Sequence, residues 1–424
     1  MRLALISDTH FGDPLCTLVN TSESGHLVPG PRYKEFVEAA GRGNDYLVLL
    51  GDILDFAIQS YSRAYEVARA FFHMVQKDEI AKQMIYIPGN HDGDIWHIVE
   101  HQVNIIHQLQ QKRLPREFRM SLPGVIDTRP GAGQRRLVLP GVSERRMGGQ
   151  LGYGGLFLDS LTAVGGRPTR FNFTYPNLYF VSAEGSVLMT HGHYLEPYWS
   201  MVSEWAPKIL GADLLVHDPM LLKEMVAINF PLTQLACSGV GQAGPLTRIV
   251  YGIQSDIARR HLGPVELYLA RAEQVLLEKG CAKRGLLGRW LAKVAAQIAH
   301  SRVLSAIRGA EHTRYNADFM KETAVRTRFQ TFYQRSCAEV EELNRAHALD
   351  LPMPSSVIFG HTHQPIPWGS PDAAVFTMPD GTSVRLFNAG GWLGRVGSDG
   401  REEFCGAEVF RYASEEGWSS VSVR

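Results

Sequence analysis

The chain has 424 residues, 43 of them basic and 43 acidic, so its formal net charge is zero. At 45% hydrophobic and 20% charged it carries enough apolar material to offset the ordering entropy, which excludes a disordered chain. Zero net charge argues against nucleic acid as a general partner, because such binders are basic overall.

Other bounds are architectural. No run of about 18 or more apolar residues occurs, so no spanning helix is expected. The apolar start Leu3–Ile6 ends at once in Ser7-Asp8, too short for the core of a secretion signal. Cys16, Cys237, Cys281, Cys337 and Cys405 are odd in number and scattered, without a CxxC pair. That usage predicts a reducing, cytoplasmic setting and no thiolate metal site. Single cores stop growing near about 250–300 residues, so a large insertion or a second domain is expected.

In chain order, Leu3–Ile6, Tyr46–Leu50 and Met84–Ile87 are candidate buried strands, each followed by a polar or glycine-containing turn. Between the second and third, Ser62–Ala81 places Tyr65, Ala68, Phe71, Phe72 and Val75 at helical spacing. The glycine-rich Gly148–Gly155 reads as a mobile loop. From Arg167 to His193 the pattern turns to strands: Phe171, Phe173 and Tyr175 alternate, and Tyr179–Val181 and Val187–Met189 flank the turn Ala183-Glu184-Gly185-Ser186. The segment 194–354 is long and helix-like. Strand patterns return at Val357–Phe359, Val375–Thr377, Val384–Phe387, Ala407–Tyr412 and Val421–Val423. The reading is an α/β (α+β) protein with a domain made of 1–193 and 355–424 and a mainly helical insertion or cap at 194–354.

Five short motifs each end a strand-like run: Asp8-Thr9-His10, Gly51-Asp52, Gly89-Asn90-His91-Asp92, His191-Gly192-His193 and Gly360-His361-Thr362-His363. In mixed sheets, ligands gather where the carboxyl ends of strands meet. Carboxylate, imidazole and amide donors without sulfur suit divalent Mn, Fe or Zn. The set exceeds the roughly four ligands of one tetrahedral zinc, so two divalent metal ions sharing a carboxylate is the economical reading.

The ordered motifs resemble those of the calcineurin-like metallophosphoesterase superfamily, over roughly Met1–His193 and Ser355–Trp392. The resemblance implies a two-sheet β-sandwich flanked by helices. It implies Asp8, His10 and His363 on one metal, Asn90, His191 and His361 on the other, and Asp52 bridging both. A metal-bridged hydroxide would attack the phosphorus, and His91 would contact the phosphate and protonate the leaving oxygen. Asp92 is expected to orient His91 by a hydrogen bond. His193 is expected either to contact substrate or to orient a metal-bound histidine. Phe387–Trp392 is similar to the asparagine–glycine–tryptophan stretch of several bacterial members.

Two features stand outside the motifs. His97 and His101, with His107 beyond, could bind metal, but a solvated helix face is the commoner use of that spacing. Lys279–Ala310 carries Lys279, Lys283, Arg284, Arg289, Lys293, Arg302 and Arg308 and no acid, with Leu286, Leu287, Trp290, Leu291, Val294 and Ile298 on one helical face. The commoner use of such a helix is packing its apolar face on a core. The alternative is peripheral contact with a membrane surface through 279–310.

The expected activity is hydrolysis of a phosphoester or phosphoanhydride in a phosphorylated small molecule or phospholipid-like substrate. The pattern is also similar to UDP-diacylglucosamine hydrolases, which act at the membrane surface, although 194–354 is longer than that family needs. Alternatives are a nucleotide phosphodiesterase, a nuclease, and a non-catalytic interaction module on the same fold.

Overall fold

The apolar runs at the start of the chain become the strands Arg2–Ile6, Asn44–Leu50 and Ala81–Ile87, which lie parallel and adjacent. Their apolar sequences are nearly continuous because both faces of this sheet are covered. The computed structural model describes residues 1–130, 155–163, 169–210, 219–238, 318–396 and 402–424, with Leu267 and Asn316. The expected loop 148–155, apart from Gly155, and the basic stretch 279–310 lie outside the described residues.

Two six-stranded sheets make the frame. The first runs Gly417–Val423, Ala407–Ala413, Arg2–Ile6, Asn44–Leu50, Ala81–Ile87 and Arg170–Phe173. The second runs Ala374–Thr377, Ser383–Asn388, Pro354–Phe359, Gly185–Thr190, Asn177–Ser182 and Gly124–Asp127. Inner faces meet where Phe180 of the second sheet packs on Tyr412 and Trp418 of the first, ring centroids 4.5 and 5.0 Å apart. Helices flank this sandwich, as the fold class anticipated.

The helix Tyr61–Lys77 starts at Ser60, whose backbone is extended and whose Oγ accepts a hydrogen bond from the Arg63 amide at 3.3 Å. Ala64, Val67, Ala68, Phe71, Phe72 and Val75 bury one face, with Phe72 on Phe171 of the first sheet. The apolar spacing extends a helix to Ala81, but this one ends at Lys77. Glu79 turns the chain with φ 53°, and the strand begins at Ala81. Strand alternation also overshoots at Tyr175: Arg170–Phe173 ends earlier, and Tyr175 makes a single bridge to Leu122.

The described parts of 194–354 include the helices Pro197–Leu210, Leu222–Cys237 and Thr323–His347. The last of them packs on the second sheet directly. Tyr179, which alternates with inward-facing Phe180, sends its hydroxyl outward to Glu339 Oε2 at 2.8 Å and the Ser336 carbonyl at 3.1 Å on the last helix. Phe329 of that helix packs against Phe376, ring centroids 4.5 Å apart.

Glu339 carries a pH prediction. Burial pushes its carboxyl from 4.5 up to about 7, against the opposing hydrogen bonds from Tyr179 and Asn177. The folded state therefore binds more protons than the unfolded state between those two values. The stability this gives is fully present below pH 4.5 and is lost as pH rises through about 7. Parent and Glu339→Gln stabilities should diverge by up to about 3 kcal/mol between pH 4.5 and 8, with the variant favoured at high pH. Denaturant melts at several pH values measure this. Parallel pH curves for the two proteins would contradict it.

Candidate metal centre

Each motif lies just past the carboxyl end of a strand. Asp8 and His10 follow Arg2–Ile6, Asp52 follows Asn44–Leu50, and Asn90 and His91 follow Ala81–Ile87. His191 and His193 follow Gly185–Thr190, and His361 and His363 follow Pro354–Phe359, a parallel neighbour in the second sheet. Parallel strands present these ends at one edge of each sheet, which brings distant segments together.

The backbone there is unusual. Of eight non-glycine residues with positive φ among the described residues, five are Asp8, His10, Asp52, His361 and His363. Such conformations cost about 1–3 kcal/mol each and persist only where surroundings enforce them. Here Asp8 N donates to Gly51 O at 3.0 Å, His10 N to Asp52 O at 2.9 Å, and His361 N to Asp8 Oδ2 at 2.9 Å. Crowding fixes two glycines: a Cβ at Gly89 would lie 2.2 Å from Asp52 Oδ1, and one at Gly360 2.2 Å from Asp8 Oδ2.

Two sets of donor atoms converge. One comprises Asp8, His10 and His363, the other Asp52, His191 and His361, each set with its donor atoms within 4.8 Å of one another. In the first, His363 Nε2 lies 3.2 Å from Asp8 Oδ1 and from His10 Nε2. In the second, His191 Nε2 lies 3.2 Å from both Asp52 Oδ2 and Asn90 Oδ1. Asp52 Oδ2 is also 3.8 Å from His10 Nε2, which places this carboxylate between the sets.

The outer ring nitrogens explain the orientation. His10 Nδ1 is 2.8 Å from Asp55 Oδ2 and His191 Nδ1 is 3.0 Å from the Leu50 carbonyl. Both partners only accept, so Nδ1 carries the hydrogen and the Nε2 lone pair faces the centre. His361 is held from the other end, its Nε2 2.8 Å from Glu196 Oε2.

Charge points the same way. Asp8, Asp52, Asp55 and Asp92 are all buried. Among the described residues their side-chain partners are imidazoles, a tyrosine and a serine, with no lysine or arginine. Burial raises the Asp8 carboxyl, yet His191 and His363 outweigh it and hold it at about 2. Asp52 lies well below the usual range, because His191 and His91 overcome the same burial. Burial disfavours the charged form of His191, but Asp52 and Asp8 raise it to about 9. A pocket this anionic takes up positive charge. Divalent cations supply it where oxygen and imidazole donors already converge, so the residues present fit a metal.

His91 differs from the rest. Its side chain keeps 14% exposure, whereas those of Asp8, His10, Asp52, His191, His361 and His363 keep 7% or less. Its Nδ1 is 2.9 Å from Asp55 Oδ1, so buried Asp55 holds both His10 and His91. These distances are those of direct hydrogen bonds, and the grouping of His10, Asp55 and His91 is one of orientation.

Asp92 is a correction. It does not orient His91. Its carboxylate accepts from the amides of Gly89 (2.6 Å) and Ile53 (2.8 Å), more distantly from those of Asp52 and Leu54 (both 3.3 Å), and from the Tyr86 hydroxyl (2.5 Å). It ties the 51–54 loop to the 89–92 loop. His193 is buried, its ring 4.0 Å from that of Tyr194 and 5.5 Å from that of His191, with no hydrogen-bond partner on either nitrogen among the described residues.

Several site residues have weak sequence signals. Asp55 stands three residues after Asp52, within an otherwise apolar Ile53–Ala57. Glu196 lies in the first residues past the histidine motif. Asn388 donates from Nδ2 to Gly360 O at 2.9 Å and Thr362 Oγ1 at 3.0 Å, bracing the last motif. Trp392 N donates to Asp8 O at 2.9 Å, which gives the Phe387–Trp392 stretch a structural use at this site. The His97–His101 face, expected to be solvated, is only partly so: both rings are half-buried, and His97 keeps 31% exposure. The two Nε2 atoms lie 2.6 Å apart beside Phe118 and Phe230, and His107 is buried. No metal-holding group of three forms around them among the described residues.

The model of one protein family, calcineurin-like phosphoesterase, matches residues 1–233, more than half of the chain. The chain belongs to that family. The match covers four of the five motifs, and the fold brings the fifth, Gly360–His363, to the same edge. No curated protein matches the chain. As a calcineurin-like phosphoesterase with metal-binding groups of this kind, it is a metal-dependent hydrolase acting on phosphoesters. No helix among the described residues is long and apolar enough to cross a membrane.

Proposed function

We propose that this calcineurin-like phosphoesterase uses two divalent ions to hydrolyse a phosphoester or phosphoanhydride. The observation that carries the proposal is the position of Asp52 between two sets of donors, 3.8 Å from His10 and 3.2 Å from His191. Asp8, His10 and His363 would hold one ion and Asn90, His191 and His361 the other, with Asp52 shared. When bound, such ions lower the pKa of water toward about 7 and neutralise charge on the phosphoryl oxygens.

The protein's own residues do the rest. Asp55 fixes the His91 ring through Nδ1, so Nε2 is the nitrogen turned toward substrate. From there His91 donates a proton to the departing oxygen, a role suited to imidazole near neutral pH. His193, buried and without a hydrogen-bond partner among the described residues, offers a hydrogen bond to a substrate oxygen or water on the His191 side.

The substrate is a phosphorylated small molecule or a phospholipid-like molecule. The basic, apolar-faced sequence of Lys279–Ala310 favours an amphiphilic one such as a UDP-lipid, with peripheral membrane contact through that stretch. A panel of aryl phosphomonoesters, aryl phosphodiesters and a UDP-lipid, run with Mn, Fe or Zn after chelation, tests the reading. Metal-restored turnover of at least one class is expected. No turnover of any class with any metal would contradict it.

A further inference from the structure

Glu196 is the only acidic side chain among the described residues whose carboxylate is paired with His361. Its backbone is fixed from both sides. Gly192, with φ 100°, opens the 3-10 turn His193–Leu195, Glu196 N donates to His193 O at 3.0 Å, and Glu196 O accepts from Ser200 N at 3.3 Å as the helix Pro197–Leu210 begins. Proline at the first helical position suits that entry, because its missing N–H would have had no partner there. The turn sends the carboxyl back toward the sheet edge, where it is buried beside the last histidine motif.

We propose that Glu196 is a positioning residue for His361: it accepts the Nε2 hydrogen and so commits Nδ1 to the metal. The chemistry parallels that of Asp55 on His10 and the Leu50 carbonyl on His191, but with the ring reversed, since here it is Nε2 that is engaged. A carboxylate on the far nitrogen also makes the near one a stronger donor. The consequence is specific to one ion. Asp8, His10 and His363 do not depend on Glu196, whereas the set of Asp52, Asn90, His191 and His361 does. Segment 194–354 thereby contributes to the metal centre from its first turn.

The inference rests on the two-ion reading above, and its test separates the two. Metal content and affinity are measured by mass spectrometry and titration with Mn on the full chain, Glu196→Ala and Glu196→Gln, with electron paramagnetic resonance to distinguish a coupled pair from a single ion. The parent is expected to hold two ions. Glu196→Ala should keep one at parental affinity and bind the other about 10–100-fold more weakly. Glu196→Gln, whose amide oxygen can accept the same hydrogen bond, should stay close to the parent and shows that loss of fold is not the cause. Two ions in the parent with unchanged binding in Glu196→Ala would overturn this inference alone. So would a Glu196→Gln variant as weak as Glu196→Ala, which would make the carboxylate a ligand or a charge rather than an acceptor. A parent that holds no pair of ions would overturn the two-ion reading and this inference with it.

Discussion

Asp52→Asn is expected to lower hydrolysis by about 10³-fold or more and to remove at least one metal ion. Metal ions contribute several kcal/mol to phosphoryl transfer, and each 1.36 kcal/mol is tenfold in rate. Among the described residues Asp52 is the one carboxylate within 4 Å of histidine nitrogens from both donor sets, and its side chain is 2% exposed, so solvent cannot replace it. The asparagine keeps the volume and retains an oxygen to accept the His91 amide that Asp52 Oδ1 now accepts at 2.8 Å. The loop should therefore survive while the charge between the ions is lost. Metal analysis and steady-state rates on the same preparation check this. A variant with parental metal content and parental kcat would show that Asp52 is not the shared ligand.

The second large effect concerns His91. His91→Ala should lower kcat by about 10²–10⁴-fold while leaving metal content unchanged, since His91 hydrogen-bonds Asp55 and belongs to neither of the two principal donor sets. The loss should be greatest for alkyl esters, whose leaving oxygen needs a proton, and small for nitrophenyl esters, which depart as anions. Comparing the two substrate types in parent and variant isolates proton donation from phosphate binding. An equal loss on both would leave His91 as a phosphate contact only.

The frame and the positions of the candidate donor residues are legible in the sequence, for a physical reason. Strands buried on both faces print continuous apolar runs, and the chemistry they carry follows immediately at their carboxyl ends. Asp8, Asp52, Asn90, His191 and His361 each occupy that position. What surrounds them was harder to see. Asp92 adjoins His91 in the chain, and adjacency suggested a hydrogen bond, yet the backbone amides of two loops occupy its carboxylate and Asp55 takes the role instead. Nothing local in Ile53-Leu54-Asp55 says that this acid meets histidines from two other loops. Glu196 and Asn388 are likewise defined by contacts across long sequence separations. The end of the helix at Lys77 depended on Glu79 adopting a positive φ, which the continued apolar spacing through Ile80 conceals.

The central claim is tested most directly by locating the ions in crystals of the full chain, by anomalous scattering with Mn or Zn. Two peaks about 3.5–4 Å apart are expected, one against Asp8, His10 and His363, the other against Asn90, His191 and His361, with Asp52 touching both. A single peak, or two peaks that do not share Asp52, would contradict it.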